Sequence, residues 1–235
     1  MNRERPIIAR SKPIIAIDGP GGAGKSTVAR KLAKALEMTY LNTGAMYRAV
    51  AVAIREAGIK RDDPKLEERV APILKSMSIE LDGDRVSLNG RDISALITER
   101  EIDDLASSYS ALPSVRARMR DLQHAAGNEG GVVMEGRDIG TVVFPDAEFK
   151  FYLDADSAIR AERRYAELSR KDAGVKRDEV LRQLAERDHR DRMREIAPLK
   201  IADDAVVIDV SKMSIDEVVS ALKERIQRVS SPDRA

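Results

Sequence analysis

The stretch Ile14-Ile15-Ala16-Ile17-Asp18-Gly19-Pro20-Gly21-Gly22-Ala23-Gly24-Lys25-Ser26 decides the fold. An apolar run is followed by a glycine-rich turn that fits the pattern G-x-x-x-x-G-K-[ST]. Glycines let backbone N–H groups approach phosphate oxygens, and the N-terminus of the following helix adds partial positive charge. The stretch therefore predicts a strand, a phosphate-binding loop and a helix. We expect Lys25 to contact the β and γ phosphates of a nucleoside triphosphate, and the Ser26 hydroxyl to ligate Mg²⁺.

Composition excludes several classes of protein. The 235-residue chain has 41 Lys and Arg against 40 Asp and Glu, a formal net charge of +1, which argues against a general polyanion binder. It has no Cys and two His, which excludes thiolate metal sites and most histidine-based triads. We find no apolar run long enough to span a bilayer and no signal core at the start of the chain. These observations predict a cytoplasmic protein that binds neither membranes nor nucleic acids.

Short apolar runs alternate with helical patterns along most of the chain. Four further runs, at 39–41, 132–134, 149–153 and 205–208, resemble buried strands. Apolar residues between them recur at helical spacing, and Ser214 forms a capping box with Glu217 before the last helix. The alternation predicts an α/β fold, with a five-stranded parallel sheet flanked by helices.

One stretch breaks the alternation. Alternating apolar residues on either side of Asp82-Gly83-Asp84 predict an antiparallel hairpin. We place it in a small α+β insert that occupies residues 64–109. The predicted core then comprises residues 13–63, 110–155 and 177–228, with a helical lid at 156–176. Disordered tails are expected at residues 1–12 and 229–235.

Charged loops follow two of the predicted strands, at the edge where parallel sheets bind ligands. The strand at 39–41 leads towards Arg48, and the strand at 132–134 leads to Arg137 and Asp138. Two arginines at this edge are suited to clamp a second anion. Ordinary surface charge is the alternative for either arginine alone.

A helix predicted over about 179–196 carries a stripe whose character changes along its length. The stripe begins apolar, with Val180 and Leu184, and continues as Arg187, Asp191 and Arg194. A surface helix usually keeps its inward stripe apolar. The pattern predicts either a helix that leaves the core for a polar cavity or a set of salt links on a solvated face.

The predicted lid helix also allows two interpretations. Arg160, Arg163 and Arg164 share one of its faces. That face either closes over a triphosphate or is solvated.

Four segments together carry a family resemblance. They are residues 17–27, Thr43-Gly44-Ala45-Met46-Tyr47-Arg48, residues 135–145 beginning Glu135-Gly136-Arg137-Asp138, and residues 186–199. On these segments the chain resembles the bacterial-type cytidylate kinases of the nucleoside monophosphate kinase group. The similarity spans about residues 13–228, and the last two segments are its most specific part. Glu135 stands where Asp is also common in that family.

The resemblance implies transfer of the γ-phosphoryl group of ATP to CMP, with dCMP as a second acceptor, Mg²⁺ as cofactor and a monomeric protein. The implied ATP loop consists of Gly19, Pro20, Gly21, Gly22, Ala23, Gly24, Lys25, Ser26 and Thr27. The implied CMP site consists of Thr43, Tyr47, Arg48, Ser107, Arg116, Arg137, Asp138, Arg187, Asp191 and Arg194. Within it, Arg48 and Arg137 would hold the phosphate, and Ser107, Arg116 and Asp138 would read the cytosine edge. Arg187 and Asp191 would contact the ribose, and the implied catalytic residues are Lys25, Arg137 and Arg194.

Other functions remain open at this point. A related kinase could use UMP, dTMP or shikimate as acceptor. A regulatory P-loop switch is a second alternative, although the chain has no N-K-x-D guanine signature. A nucleic-acid-binding module is disfavoured by the net charge of +1 and the 3% aromatic content.

Overall fold

A computed structural model describes residues 10, 12–170 and 174–230. Its five-stranded sheet has the order β2-β6-β1-β7-β8, with every neighbouring pair parallel. The strands are β1 Ile14–Asp18, β2 Thr39–Asn42, β6 Val132–Glu135, β7 Phe149–Asp154 and β8 Val206–Asp209. The predicted fold class and all five predicted strands are confirmed, with ends that differ by one residue or so.

Eight α-helices connect and flank the strands of the described chain. They are α1 Lys25–Ala35, α2 Thr43–Glu56, α3 Leu66–Ser76, α4 Arg100–Tyr109, α5 Pro113–Gly127, α6 Ser157–Ser169, α7 Arg177–Met193 and α8 Ile215–Ser230. A 3₁₀ turn covers Leu96–Thr98, and a π-helical turn covers Ile139–Val143.

The central strand β1 is buried on both faces, as its continuous apolar run predicts. Ile14 and Ala16 face one core, which is completed by α2, α4 and α5. Ile15 and Ile17 face a second core, completed by α1 and α8. This arrangement places the loop after β1 at the middle of the sheet's C-terminal edge.

The predicted hairpin is present as β3 Ile79–Asp82 and β4 Arg85–Leu88, which pair antiparallel. A short third strand, β5 Arg91–Asp92, was not predicted. Both of its residues are exposed, so the strand has no hydrophobic pattern that a sequence reading can detect. The limits of the insert and the lid stay predictions.

The predicted limits differ from the structure at three helix or chain ends. Helix α7 ends at Met193, because the backbone of Arg194 is extended and Ala197 has a positive φ of 52°. Helix α8 continues to Ser230, into the predicted C-terminal tail. At the other end Arg10 is not a free tail residue, since its guanidinium pairs with Asp146 at 2.6 Å. The rest of the predicted tails, residues 1–9 and 231–235, lie outside the described residues, as does residue 11.

None of the helices in the described part of the chain combines the length and apolar character needed to cross a bilayer.

Candidate active site

The phosphate-binding loop occupies residues 19–24, between β1 and α1. Its backbone has positive φ at Gly19 (145°) and Gly22 (75°). A Cβ at Gly19 would lie 2.1 Å from the Leu153 carbonyl oxygen, and one at Gly22 would lie 2.9 Å from the Arg160 carbonyl oxygen. Both positions require glycine, because the loop passes against neighbouring backbone in a conformation that other residues disfavour.

Lys25 begins α1 and turns back over this loop. Its Nζ donates to the Pro20 carbonyl oxygen at 2.8 Å, and its side chain is buried. Burial, with the positive charge of Arg137, lowers the pKa of Lys25 to about 7. Phosphate oxygens placed at Nζ would favour the ammonium form, so this lysine is suited to bind a polyphosphate.

A cavity of about 530 Å³ opens in front of the loop. Residues of both implied sites contribute to its wall, and they come from loops and helices far apart in the sequence. Those that line it are Gly21, Gly22, Gly24, Lys25, Ser26, Thr27, Thr43, Tyr47, Arg48, Ser107, Arg137, Asp138, Arg187, Asp191 and Arg194. The phosphate-binding loop and most residues of the implied CMP site therefore line one cavity.

Four residues of the two implied sites do not line this cavity: Gly19, Pro20, Ala23 and Arg116. The first three belong to the loop itself. Arg116 is buried behind Asp138, pairs with that carboxylate, and donates to the Ser110 carbonyl oxygen at 3.3 Å. A direct contact between Arg116 and a base stays a prediction.

A buried carboxylate joins the end of β1 to the turn that follows β6. Asp18 accepts hydrogen bonds from the backbone nitrogens of Ile139 at 2.9 Å and Gly140 at 2.8 Å. Burial raises the pKa of Asp18 to about 6, although both N–H groups favour the ionised form. Because Arg137 and Asp138 come immediately before this turn, Asp18 fixes the backbone that carries them.

Asp138 lies at the cavity wall between two arginines. It pairs with Arg116 and, at 3.4 Å, with Arg194. Burial raises the pKa of Asp138, and the two arginines act in the opposite direction. Burial also lowers the pKa of Arg194. The result is a charged, desolvated cluster with a defined geometry.

Helix α7 carries its polar stripe into the cavity, as one of the two sequence interpretations predicts. Val180 and Leu184 are buried, whereas Arg187 and Asp191 line the cavity. Asp191 accepts from Arg137 Nε at 3.0 Å. Burial alone would raise the pKa of Asp191, but the nearby arginines lower it below its usual range. Salt links on a solvated face therefore do not describe this stripe.

The arginines of α6 divide into different environments. Arg160 is buried and donates to the Gly21 carbonyl oxygen at 2.9 Å and to Asp188 at 2.6 Å. Arg163 and Arg164 both line the cavity. The solvated-face interpretation is therefore wrong for this helix, and Arg160 supports the phosphate-binding loop from behind.

Two side chains with oxygen atoms meet beside α1. Ser26 Oγ donates to Glu135 Oε1 at 2.8 Å, and both residues line the cavity. In the described residues, no group of three or more His, Cys, Asp or Glu side chains is arranged to hold a metal. A hydroxyl and one carboxylate beside a phosphate site is the donor set that Mg²⁺ uses with nucleotides.

Three polar atoms of the cavity wall lack a partner in the described part of the chain: Ser107 Oγ, Arg48 Nε and Arg187 Nε. Buried polar atoms are nearly always hydrogen-bonded. Unpaired donors at a cavity wall are therefore the groups expected to bind a polar ligand.

Sequence reasoning missed several cavity residues. Asp103 and Ser110 have no motif around them, and nothing in one sequence separates them from other polar positions of their helix and loop. Glu135 lies inside a recognised segment, and its place at the end of a buried strand was an available signal. The other residues missed are Asn42, Gly44, Ala106, Gly136, Glu167, Leu184 and Ile215.

Known proteins are similar to this chain over most of its length. A family model described as cytidylate kinase matches residues 15–228. The cytidylate kinase of Caldanaerobacter subterraneus subsp. tengcongensis is 46% identical over 214 residues, covering 91% of this chain and 94% of that protein. The cytidylate kinase of Syntrophotalea carbinolica is 45% identical over 225 residues, covering 94% and 96%. An uncharacterised protein from Eubacterium ventriosum shares the fold, with a TM-score of 0.50 at 15% identity over 92% of this chain and 99% of that one.

Proposed function

Because this chain belongs to the cytidylate kinase family, we propose that its cavity holds ATP and CMP together and transfers the γ-phosphoryl group between them. The reaction is ATP + CMP ⇌ ADP + CDP. The chain is a nucleoside monophosphate kinase that phosphorylates CMP with ATP. The roles of individual residues, the metal and the use of dCMP are proposals that go beyond the family assignment.

One observation carries the residue assignment. A single cavity is lined by the phosphate-binding loop and by Arg48, Arg137, Arg187 and Arg194. A hydrolase or a switch has no need for four arginines in the same cavity as its phosphate-binding loop. A transferase needs them, because its acceptor is also an anion.

The chemistry of cytosine fits the acceptor side. Cytosine offers an N4 donor and the N3 and O2 acceptors. Asp138 supplies a carboxylate held by two arginines, and the unpartnered Ser107 hydroxyl faces the same cavity. We assign base reading to Asp138 and Ser107, with Arg116 holding Asp138 in place.

Mg²⁺ fits beside Ser26 and Glu135, whose oxygens are the hard ligands that this ion prefers. When bound, the ion would neutralise charge on the triphosphate. Glu135 is further fixed because its backbone oxygen accepts from Thr43 Oγ1 at 2.7 Å.

The reaction needs charge neutralisation more than proton transfer. The attacking phosphate oxygen is already anionic at neutral pH, so no strong general base is required. Two unit negative charges at about 4 Å repel by roughly 4 kcal/mol at an effective dielectric near 20. Lys25, Arg137 and Arg194 offset this repulsion and stabilise the loose phosphoryl group of the transition state.

An acceptor panel tests the proposal. Purified protein is given ATP with CMP, dCMP, UMP, dTMP or shikimate, with and without Mg²⁺, and ADP formation is followed. We expect Mg²⁺-dependent turnover with CMP and with dCMP, and a loss of several orders of magnitude in kcat for Lys25→Ala with folding intact. ADP release that does not depend on any acceptor would instead favour a hydrolytic switch, and turnover with a different acceptor alone would refute base reading by Asp138.

A monomeric state and a cytoplasmic location stay predictions. Light scattering of the purified protein and fractionation of cells that produce it would test them.

A further inference from the structure

Asp103 joins three arginines from three different helices at the cavity wall. It lies on α4, and its side chain is 16% exposed. Its carboxylate accepts from Arg187 on α7 at 2.6 Å and from Arg164 on α6 at 3.0 Å, both at the same oxygen. Its other oxygen accepts from Arg48 on α2 at 3.4 Å.

The charges around this carboxylate are unbalanced. Burial alone would raise the pKa of Asp103, but Arg187, Arg164 and Arg48 together hold it well below its usual range. Asp103 is the largest cause that raises the pKa of Arg187. The Asp103 carboxylate therefore stands among three positive charges that would otherwise repel each other, and of these Arg164 also pairs with Glu167 at 2.9 Å.

Arg48 and Arg187 each keep an N–H group that has no partner in the described part of the chain. Among the described residues, Asp103 is the only carboxylate that forms an ion pair with Arg48 or with Arg187. The Nε atoms of both arginines are buried without a partner there. Asp103 thus fixes each guanidinium by one edge and leaves other donors for a ligand in the cavity.

We propose that Asp103 is a positioning residue for the acceptor: it holds Arg48 and Arg187 in their binding orientation and ties them to α6 through Arg164. This inference rests on the proposed function, since Arg48 and Arg187 are assigned there to the acceptor side. Asp103 itself does not contact the reacting atoms.

The direction of the effect follows from preorganisation. Without the carboxylate, the three guanidiniums repel and their long side chains gain rotamer freedom. Binding the acceptor would then have to order them again, which weakens affinity. If Asp103 only competed with the ligand for these arginines, its removal would strengthen binding.

The next residue offers a matched control. Asp104 pairs with Arg61 at 3.1 Å and with Arg190 at 2.7 Å. Its side chain is 47% exposed. It lines a neighbouring cavity between α4, α6 and α7, and not the cavity of the phosphate-binding loop. Asp104→Asn therefore removes ion pairs between α4 and the rest of the protein without touching the candidate site.

The experiment compares the wild type with Asp103→Asn, Asp103→Glu and Asp104→Asn. Calorimetric titration gives the Kd for CMP, and steady-state kinetics give separate KM values for CMP and ATP. We expect Asp103→Asn to raise Kd and KM for CMP at least tenfold and to change KM for ATP less than threefold. Asp103→Glu should recover most of the affinity, and Asp104→Asn should stay within twofold of the wild type. If Asp103→Asn does not fold, Asp103→Ser is measured against the same criteria.

A second readout does not depend on catalysis. Amide hydrogen exchange of residues 157–169 should be faster in ligand-free Asp103→Asn than in the wild type, because α6 loses its tie to α4. Unchanged or tighter CMP binding by Asp103→Asn overturns the positioning role, as does equal weakening by Asp104→Asn. A wild-type protein that binds no CMP refutes the proposed function instead, and that result is read from the wild type alone.

Discussion

At the scale of single residues, many of the charged side chains of the site form ion pairs with each other. Asp138 shows the principle, since its carboxylate is shared by Arg116 and Arg194 in a buried cluster. Removing one member of such a cluster leaves the other charges buried and uncompensated, which is strongly destabilising. Asp138, which we propose reads the base, and the two arginines that pair with it therefore cannot be varied independently.

Asp138→Asn is the sharpest residue-scale test. We expect kcat/KM for CMP to fall about tenfold to hundredfold, since a base contact of this kind is worth about 1–3 kcal/mol. KM for ATP should change little, because the phosphate-binding loop is untouched. Kinetics with each nucleotide varied in turn provide the measurement, and Asp121→Asn, an exposed position on α5, is the control. Equal losses for both nucleotides would show that the base-reading role is wrong.

At the scale of elements, the phosphate-binding loop and the turn Ile139–Val143 are held together by one buried carboxylate. β1 ends at Asp18, whose carboxylate accepts two backbone N–H groups of the turn Ile139–Val143. Behind the same loop, Arg160 on α6 links the Gly21 carbonyl oxygen to Asp188 on α7. Strand β1 and the phosphate-binding loop are thereby held in a fixed position relative to the turn after β6 and to helices α6 and α7.

Stability should depend on pH through Asp18. Burial raises its pKa to about 6 in the folded protein, above the usual value of 3.8. Between these two pH values the folded state keeps a proton that the unfolded state releases, so the free energy of unfolding falls as pH rises towards 6. The full contribution is about 3 kcal/mol, at roughly 1.4 kcal/mol per pKa unit.

Denaturant unfolding of the wild type and Asp18→Asn between pH 4 and pH 6.5 provides the measurement. The stability advantage of the wild type over Asp18→Asn should shrink as pH increases, since the amide does not titrate. An advantage that is constant across this range would contradict the raised pKa.

At the scale of the whole molecule, two cores lie on opposite faces of one sheet. The core that includes Leu222 of α8 also packs against α1, the helix that begins at Lys25. Helix α8 begins at Ile215, which lines the cavity, whereas its Leu222 supports α1 from within this core.

Leu222→Ala should separate stability from binding. Leu222 is fully buried, so the substitution should lower the free energy of unfolding by about 2–5 kcal/mol. The melting temperature should fall by roughly 2–4 °C per kcal/mol in a chain of this size. Leu181→Ala is the matched control, because Leu181 on α7 is 44% exposed and its removal leaves no cavity. A large change in KM for CMP or ATP at a temperature where Leu222→Ala is folded would contradict a purely structural role.

Much of the fold could be predicted because its signals are local. The five strands are continuous apolar runs, and the phosphate-binding loop is a contiguous motif. Strand β5 was missed because Arg91 and Asp92 are exposed and polar. The end of α7 was placed too late because its termination depends on the backbone at Arg194 and Ala197, which no periodicity reveals.

The sequence by itself determined the layered α/β fold, the phosphate-binding loop and the family, because each depends on residues that are neighbours along the chain. Only the tertiary structure decided which distant charges meet. It placed Asp103 among Arg48, Arg164 and Arg187. It also showed that Arg160 is buried and contacts the phosphate-binding loop. The physical reason is that ion pairs in a cavity depend on distances in space, and in this chain those pairs join residues from helices separated by tens of positions.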